Sequence, residues 1–243
     1  MLRLLAAPVL LIAVPVAAQD VADPPAGSLT VSGGVDLVSD YRFRGISRSE
    51  SDVAVQPTVT FSHDSGFYLG AWGSNVDGGP AYGDVEAQLY GGYESEIAPG
   101  TRLDLGLTYY WYPDGDKAFG PSDHGEAAAR LSYMLGPVEA TGTLAYAWDQ
   151  AALGSDDSLY LGLGLSSGIP NTPVTLTAGV GYSDGALAPG DGDYLDWSLG
   201  ARATFDRFTL GLKYVDTDIR KTGVKAVDRL YDPTLVASVG FAF

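Results

Sequence analysis

The sequence predicts an antiparallel up-and-down β-barrel that crosses a membrane. Three observations carry this. Apolar residues recur at every second position in segment after segment, the mark of strands with one greasy face. Connections alternate between short turns and longer Gly- and Asp-rich loops. Aromatic side chains on the greasy face collect at strand ends, where amphipathic rings favour the headgroup zone. Segments of about ten alternating residues separated by turn residues are what a membrane barrel presents in sequence.

The first expected strand runs without a break over 29–44. Leu29, Val31, Val35, Leu37, Tyr41 and Phe43 share one face; Asp36, Asp40, Arg42 and Arg44 share the other. A second strand sets Val53, Val55, Val59 and Phe61 against Gln56, Thr58 and Thr60. The third, 67–76, is apolar on both faces and gives no orientation. A fourth sets Val85, Ala87 and Leu89 against Glu86 and Gln88, and a fifth sets Leu103, Leu105 and Leu107 against Arg102, Asp104 and Thr108. A sixth places Ala127, Ala129 and Leu131 opposite Glu126 and Arg130. Strands seven to nine carry Leu144, Tyr146 and Trp148, then Leu159 to Leu165, then Leu176 and Val180. A tenth has Leu195, Trp197 and Leu199 opposite Asp196 and Arg202; an eleventh has Leu210 and Leu212 opposite Lys213. The closing strand alternates Leu235, Ala237, Val239, Phe241 and Phe243, making about twelve.

Short turns fall at 63–66, 97–101, 135–137, 168–173 and 206–207. Longer loops fall at 45–51, 77–83, 113–123, 149–157, 184–193 and 216–232. With both termini inside the cell envelope, every longer loop is external. The outer girdle then comprises Tyr41, Phe43, Tyr109, Trp111, Tyr146, Trp148, Tyr182, Trp197 and Tyr214. The inner one comprises Phe61, Tyr93, Tyr133, Phe205, Phe208, Phe241 and Phe243.

Residues 1–18 read as a signal peptide: Arg3 in a short positive start, an apolar run to Val16, then small residues before Gln19. Residues 19–28, rich in Asp, Pro and Ala, form a flexible lead-in, and 29–243 form one barrel domain. The formal net charge of −16 argues against nucleic acid as a partner. With no cysteine there is no thiol chemistry and no Cys-based metal site.

Two blocks resemble the TorF family of porins: Val35-Asp-Leu-Val-Ser-Asp-Tyr-Arg-Phe-Arg-Gly-Ile-Ser47, similar to its opening strand, and His63-Asp-Ser-Gly-Phe-Tyr-Leu-Gly-Ala-Trp-Gly-Ser-Asn-Val76. The closing strand ending on Phe243 resembles that of bacterial outer-membrane barrels, in which a terminal Phe is read by the assembly machinery. These resemblances imply an outer-membrane channel of a Gram-negative cell, without catalytic motif. The expected partners are outer-membrane lipid and lipopolysaccharide, the barrel-assembly machinery and small hydrophilic solutes.

Enzymatic chemistry has little to stand on. His63 belongs to an inner turn and His124 to the outer rim, so the two histidines cannot share a site, and His124 reads as a solvated loop residue. Ser122, Asp123 and Glu126 lie near it, which keeps a serine hydrolase formally open. Asp114-Gly-Asp116 begins like a calcium loop, but Phe119 and Gly125 stand where Gly and a bidentate Glu are required. No catalytic, cofactor or metal residues are assigned. The expected pore-lining residues are Asp36, Asp40, Arg42, Arg44, Glu86, Arg102, Asp104, Glu126, Arg130, Asp196, Arg202 and Lys213. The polar faces carry a slight excess of acids, which predicts a weak cation preference. The leading expectation is passive diffusion of small hydrophilic solutes or ions. A structural or adhesive barrel with a blocked lumen comes second and a barrel lipid hydrolase third.

Overall fold

The computed structural model describes residues 29–189 and 192–243. The signal peptide and lead-in expected at 1–28 lie outside the described residues. In chain order the strands are β1 (Leu29–Val38), β2 (Arg42–Phe43), β3 (Ile46–Ser47), β4 (Ala54–His63), β5 (Phe67–Asn75), β6 (Val85–Ala98) and β7 (Thr101–Trp111). There follow β8 (His124–Leu135), β9 (Val138–Gln150), β10 (Asp156–Gly168), β11 (Val174–Gly185), β12 (Asp193–Phe205), β13 (Phe208–Thr217) and β14 (Thr234–Ala242). Twelve of them, all but β2 and β3, close into one antiparallel barrel.

Closure is made between β1 and β14, with Gly34 opposite Ala242 and Val38 opposite Ser238. Backbone bonds between Gly33 and Phe243, at 3.1 and 2.9 Å, extend that pairing by one residue. Over this paired length the barrel has no free sheet edge, as a wall facing lipid requires.

The period of two explains the two faces. Leu105, Leu107, Leu163, Leu199 and Leu210 point outward and stay 47–66% exposed. Their inward neighbours, such as Asp104, Thr108 and Asp196, are buried. An apolar belt turned outward is stable only in lipid. The ambiguous third segment is resolved as β5: Phe67 and Leu69 face out, Trp72 and Ser74 face in. At the end that holds Leu29 and Phe243, the turn end, the connections are short and the outward aromatics include Phe61, Tyr93, Tyr133, Phe205 and Phe208. At the opposite, loop end, Tyr109, Trp111, Tyr146, Trp148 and Trp197 form the second girdle. The loop expected at 149–157 shrinks to 151–155, because β9 and β10 extend further than their sequence suggests.

The first strand departs from expectation. Tyr41 and Phe43 do not join the girdle: they are 3% and 5% exposed, inside the barrel. The strand ends at Val38, and residues 39–53 fold inward as a compact segment containing the β2–β3 hairpin. Arg44 takes a left-handed φ of 47° and Gly45 one of 86°, and Glu50 and Ser51 are also left-handed. A strand cannot continue through such residues. Gly45 is also required by space. A β-carbon there would run into the Thr217 methyl and sit 3.1 Å from the Asp196 β-carbon.

Candidate channel constriction

The inward segment is fixed by its own polar groups. Asp40 accepts from Arg42 Nε and from the Ser47 hydroxyl, both at 2.6 Å. The remaining Arg42 donors reach the carbonyls of Gly45, Leu230 and Asp232 and the Thr234 hydroxyl, at 3.0–3.2 Å. Arg42 therefore ties the first loop-end connection to the last one, residues 218–233. Ser47 N–H to the Leu230 carbonyl, 2.9 Å, and the Arg229–Glu50 ion pair, 2.6 Å, tie them again.

Arg44 crosses the lumen. Its Nη2 meets Glu126 at 2.5 Å, its guanidinium lies 4.3 Å from the Tyr160 ring centroid and 4.8 Å from that of Phe43, and its carbonyl accepts from the Tyr194 hydroxyl at 2.8 Å. A buried charge needs such a partner, and the planar guanidinium adds stacking on aromatic faces. Arg48 stacks on the other side of the same cluster, 5.2 Å from the Phe43 centroid. Glu86 accepts from the Tyr41 and Tyr112 hydroxyls at 3.1 and 3.2 Å and from Gln88 at 2.7 Å. Around these charges Trp72, Tyr90, Tyr110, Tyr112, Tyr160 and Tyr194 fill the loop-end half of the interior.

The turn-end half is different. Arg102 and Glu94 form a loose 3.6 Å pair, 39% and 40% exposed, in an open vestibule. Between the halves, Asp104 is held by Arg130 and by the Tyr68 hydroxyl at 2.7 Å. Of the twelve residues expected on the polar faces, Asp40, Arg42, Arg44, Glu86, Asp104, Glu126 and Asp196 are buried in the interior. Asp36, Arg130, Arg202 and Lys213 are half-buried on inward positions of β1, β8, β12 and β13. The structure joins Arg44 to Glu126, Arg42 to Asp40 and Arg130 to Asp104, and it leaves Arg102 in the vestibule.

His124 is not a solvated loop residue. It is 3% exposed and stacks on Tyr110, centroids 4.6 Å apart and 6° from parallel. Its Nδ1 lies 3.2 Å from the Ser122 carbonyl oxygen rather than the hydroxyl, and Glu126 is engaged by Arg44. Asp114 accepts from the N–H groups of Asp84 and Val85, at 3.0 and 3.3 Å, and Asp116 from that of Ala118 at 2.9 Å. These carboxylates shape loops.

Sequence reasoning missed the aromatic filling. The signal was available in Tyr90, Tyr110, Tyr160 and Tyr194, each at an inward position between outward neighbours. Large rings at such positions mean a lumen that is narrowed at that level.

A closed twelve-stranded barrel with an apolar outside, two aromatic girdles and a charged interior is a transmembrane β-barrel of the porin architecture. The chain belongs to the Gcw_chp family, described as bacterial proteins of unknown function, whose model matches residues 22–243. Among solved structures it is similar to the NanC porin, with a TM-score of 0.59 and 11% identity over 88% of this chain and 99% of that one. It is similar also to the KdgM porin, with a TM-score of 0.57 and 6% identity over 87% and 98%. No curated protein matches the sequence.

Proposed function

We propose that the protein is an outer-membrane channel of a Gram-negative cell through which small hydrophilic solutes or ions diffuse passively. The observation that carries this reading is the contrast within the interior. A polar vestibule with half-exposed Arg102 and Glu94 leads to a narrow, charge-lined constriction built around Arg44 and Glu126. A barrel serving only as a scaffold has no use for a wet vestibule or for charges of both signs along the inner wall; such charges set an electrostatic barrier for what passes. The porin architecture of its structural neighbours supports the reading. So does the resemblance of residues 35–47 and 63–76 to the TorF family, because those residues supply part of the constriction, including Arg42, Arg44 and Trp72.

The longer loops then face outward, the girdles contact outer-membrane lipid and lipopolysaccharide, and the strand ending in Phe243 addresses the barrel-assembly machinery. The chain acts without catalysis in this reading. Purified protein reconstituted into a planar bilayer tests it: discrete unitary conductance steps are expected. A silent bilayer with correctly folded protein would establish the blocked, structural barrel instead.

A further inference from the structure

We infer that Asp196, with Thr217 and Ser183, forms a binding subsite for a small cation in the constriction. This rests on the channel reading and names the residue by which such a channel would prefer cations. Five buried side-chain polar atoms among the described residues lack a hydrogen-bond partner, and all five lie where the inward segment meets the wall or in the wall facing it. They are Arg44 Nη1, Arg48 Nε, Ser183 Oγ, Asp196 Oδ2 and Thr217 Oγ1. Three of the five are oxygens on adjacent strands. Asp196 stands directly opposite Thr217 in the β12–β13 ladder. Ser183, on β11, is one inward position away from Gly181, which stands opposite Asp196.

Most of the charges around this site are engaged, Arg48 excepted, whose guanidinium lies on the Phe43 ring with its Nε unpartnered. Arg44 is bound by Glu126, Arg42 by Asp40, Arg130 by Asp104, and Glu86 is satisfied by neutral donors. Asp196, 6% exposed, keeps a carboxylate oxygen with no donor. A buried unpaired carboxylate is unstable and draws a counter-charge. Gly181 leaves open the room into which Asp196 and the Tyr160 hydroxyl lean, since a β-carbon there would meet both oxygens. Carboxylate and hydroxyl oxygens suit hard cations such as K⁺ or Na⁺, with water completing the shell. The Arg44 guanidinium, across the Tyr160 ring, opposes the bound ion and keeps its residence short, as conduction requires.

The test uses Asp196→Asn, which keeps shape and removes charge, and Thr217→Val, which keeps charge and removes one oxygen. Under a KCl gradient the wild type should favour K⁺. Asp196→Asn should reduce that preference at least roughly fivefold, the Boltzmann weight of one unit charge at about 4 Å in bulk water, since a buried site is screened less. Thr217→Val should fall between the two. A second measurement needs no conductance: the unfolding temperature of detergent-folded protein in KCl against tetraethylammonium chloride at equal ionic strength. Wild type should be more stable in KCl, and Asp196→Asn equally stable in both. If K⁺-specific stabilisation persists in Asp196→Asn, or is absent from the wild type, the site is overturned. A selectivity change without it means a field effect only, which also overturns the site. A silent bilayer with K⁺-specific stabilisation intact would remove the channel reading and leave the site standing.

Discussion

The two halves of the barrel interior are built from the same twelve strands yet obey different economies of charge. In the loop-end half Arg44 and Glu126 are 2% and 1% exposed and packed among tyrosines. In the turn-end half Arg102 and Glu94 are about 40% exposed and 1.1 Å further apart. Part of the difference lies in the wall, whose inward positions at the loop end carry Trp72, Tyr110, Tyr160 and Tyr194. The rest is the segment 39–53, which packs against those rings and occupies one half only. A buried pair is held by its need for its partner, whereas an exposed pair is screened and nearly dispensable. Resistance to permeation, and the sensitivity of the fold to single charges, should therefore both reside at the loop end.

The most direct way to break this contrast is to remove its cause. Replacing residues 40–51 with a short Gly-rich connection should leave a barrel of unchanged heat-modifiability but raise unitary conductance several-fold. An unchanged conductance would place the constriction elsewhere. Next, Glu126→Gln strands Arg44 in the interior and should cost about 3–5 kcal/mol in equilibrium unfolding. Glu94→Gln should cost no more than about 1 kcal/mol. Equal losses would erase the distinction between the halves.

The inside–outside contrast is sharpened by placing arginine on either face. Leu105→Arg in the lipid belt should cost about 2–4 kcal/mol, whereas Thr141→Arg, facing the vestibule, should fold in near-normal yield. The smallest effect concerns the last loop-end connection, residues 218–233. Asp228 accepts from the Thr222 N–H and hydroxyl at 2.6 and 2.8 Å and from the Gly223 N–H at 3.0 Å. Desolvation acts to raise its pKa, but these hydrogen bonds outweigh it and hold the carboxyl below its ordinary value. The loop order it provides is thus complete at neutral pH and is lost only as pH falls through that lowered value. The Thr222 amide resonance should shift in that acidic range, and Asp228→Asn should remove the titration.

The wall was legible because a period of two in the residues becomes a period of two in space. Leu195, Trp197 and Leu199 against Asp196 and Ser198 are assigned to faces by alternation alone, and so is the closing strand. The constriction was not legible, for a local reason. Alternation continues through Ser39, Tyr41 and Phe43, so the pattern carries no mark of where the backbone leaves the sheet. The break is imposed by tertiary contacts: Tyr41 packs on Trp72 at 5.3 Å, Phe43 on Tyr110 at 6.1 Å, and Gly45 on Asp196 and Thr217. His124 misled similarly, since its neighbours look like a loop while its ring is stacked inside.

The placement of residues 39–53 also bears on how the molecule forms. The segment joins β1 and β4, which pair with each other, so it can settle on the concave side of a partial sheet early. Its principal bonds, however, go to Glu126 and to Leu230, Asp232 and Thr234, up to 192 positions away along the chain. Those partners arrive together only when the last strand docks on the first. Contacts of such long range form late and cooperatively. An incompletely zipped intermediate would hold an unformed mouth, so a mutation that slows docking of the final strand should delay appearance of the constriction by the same interval.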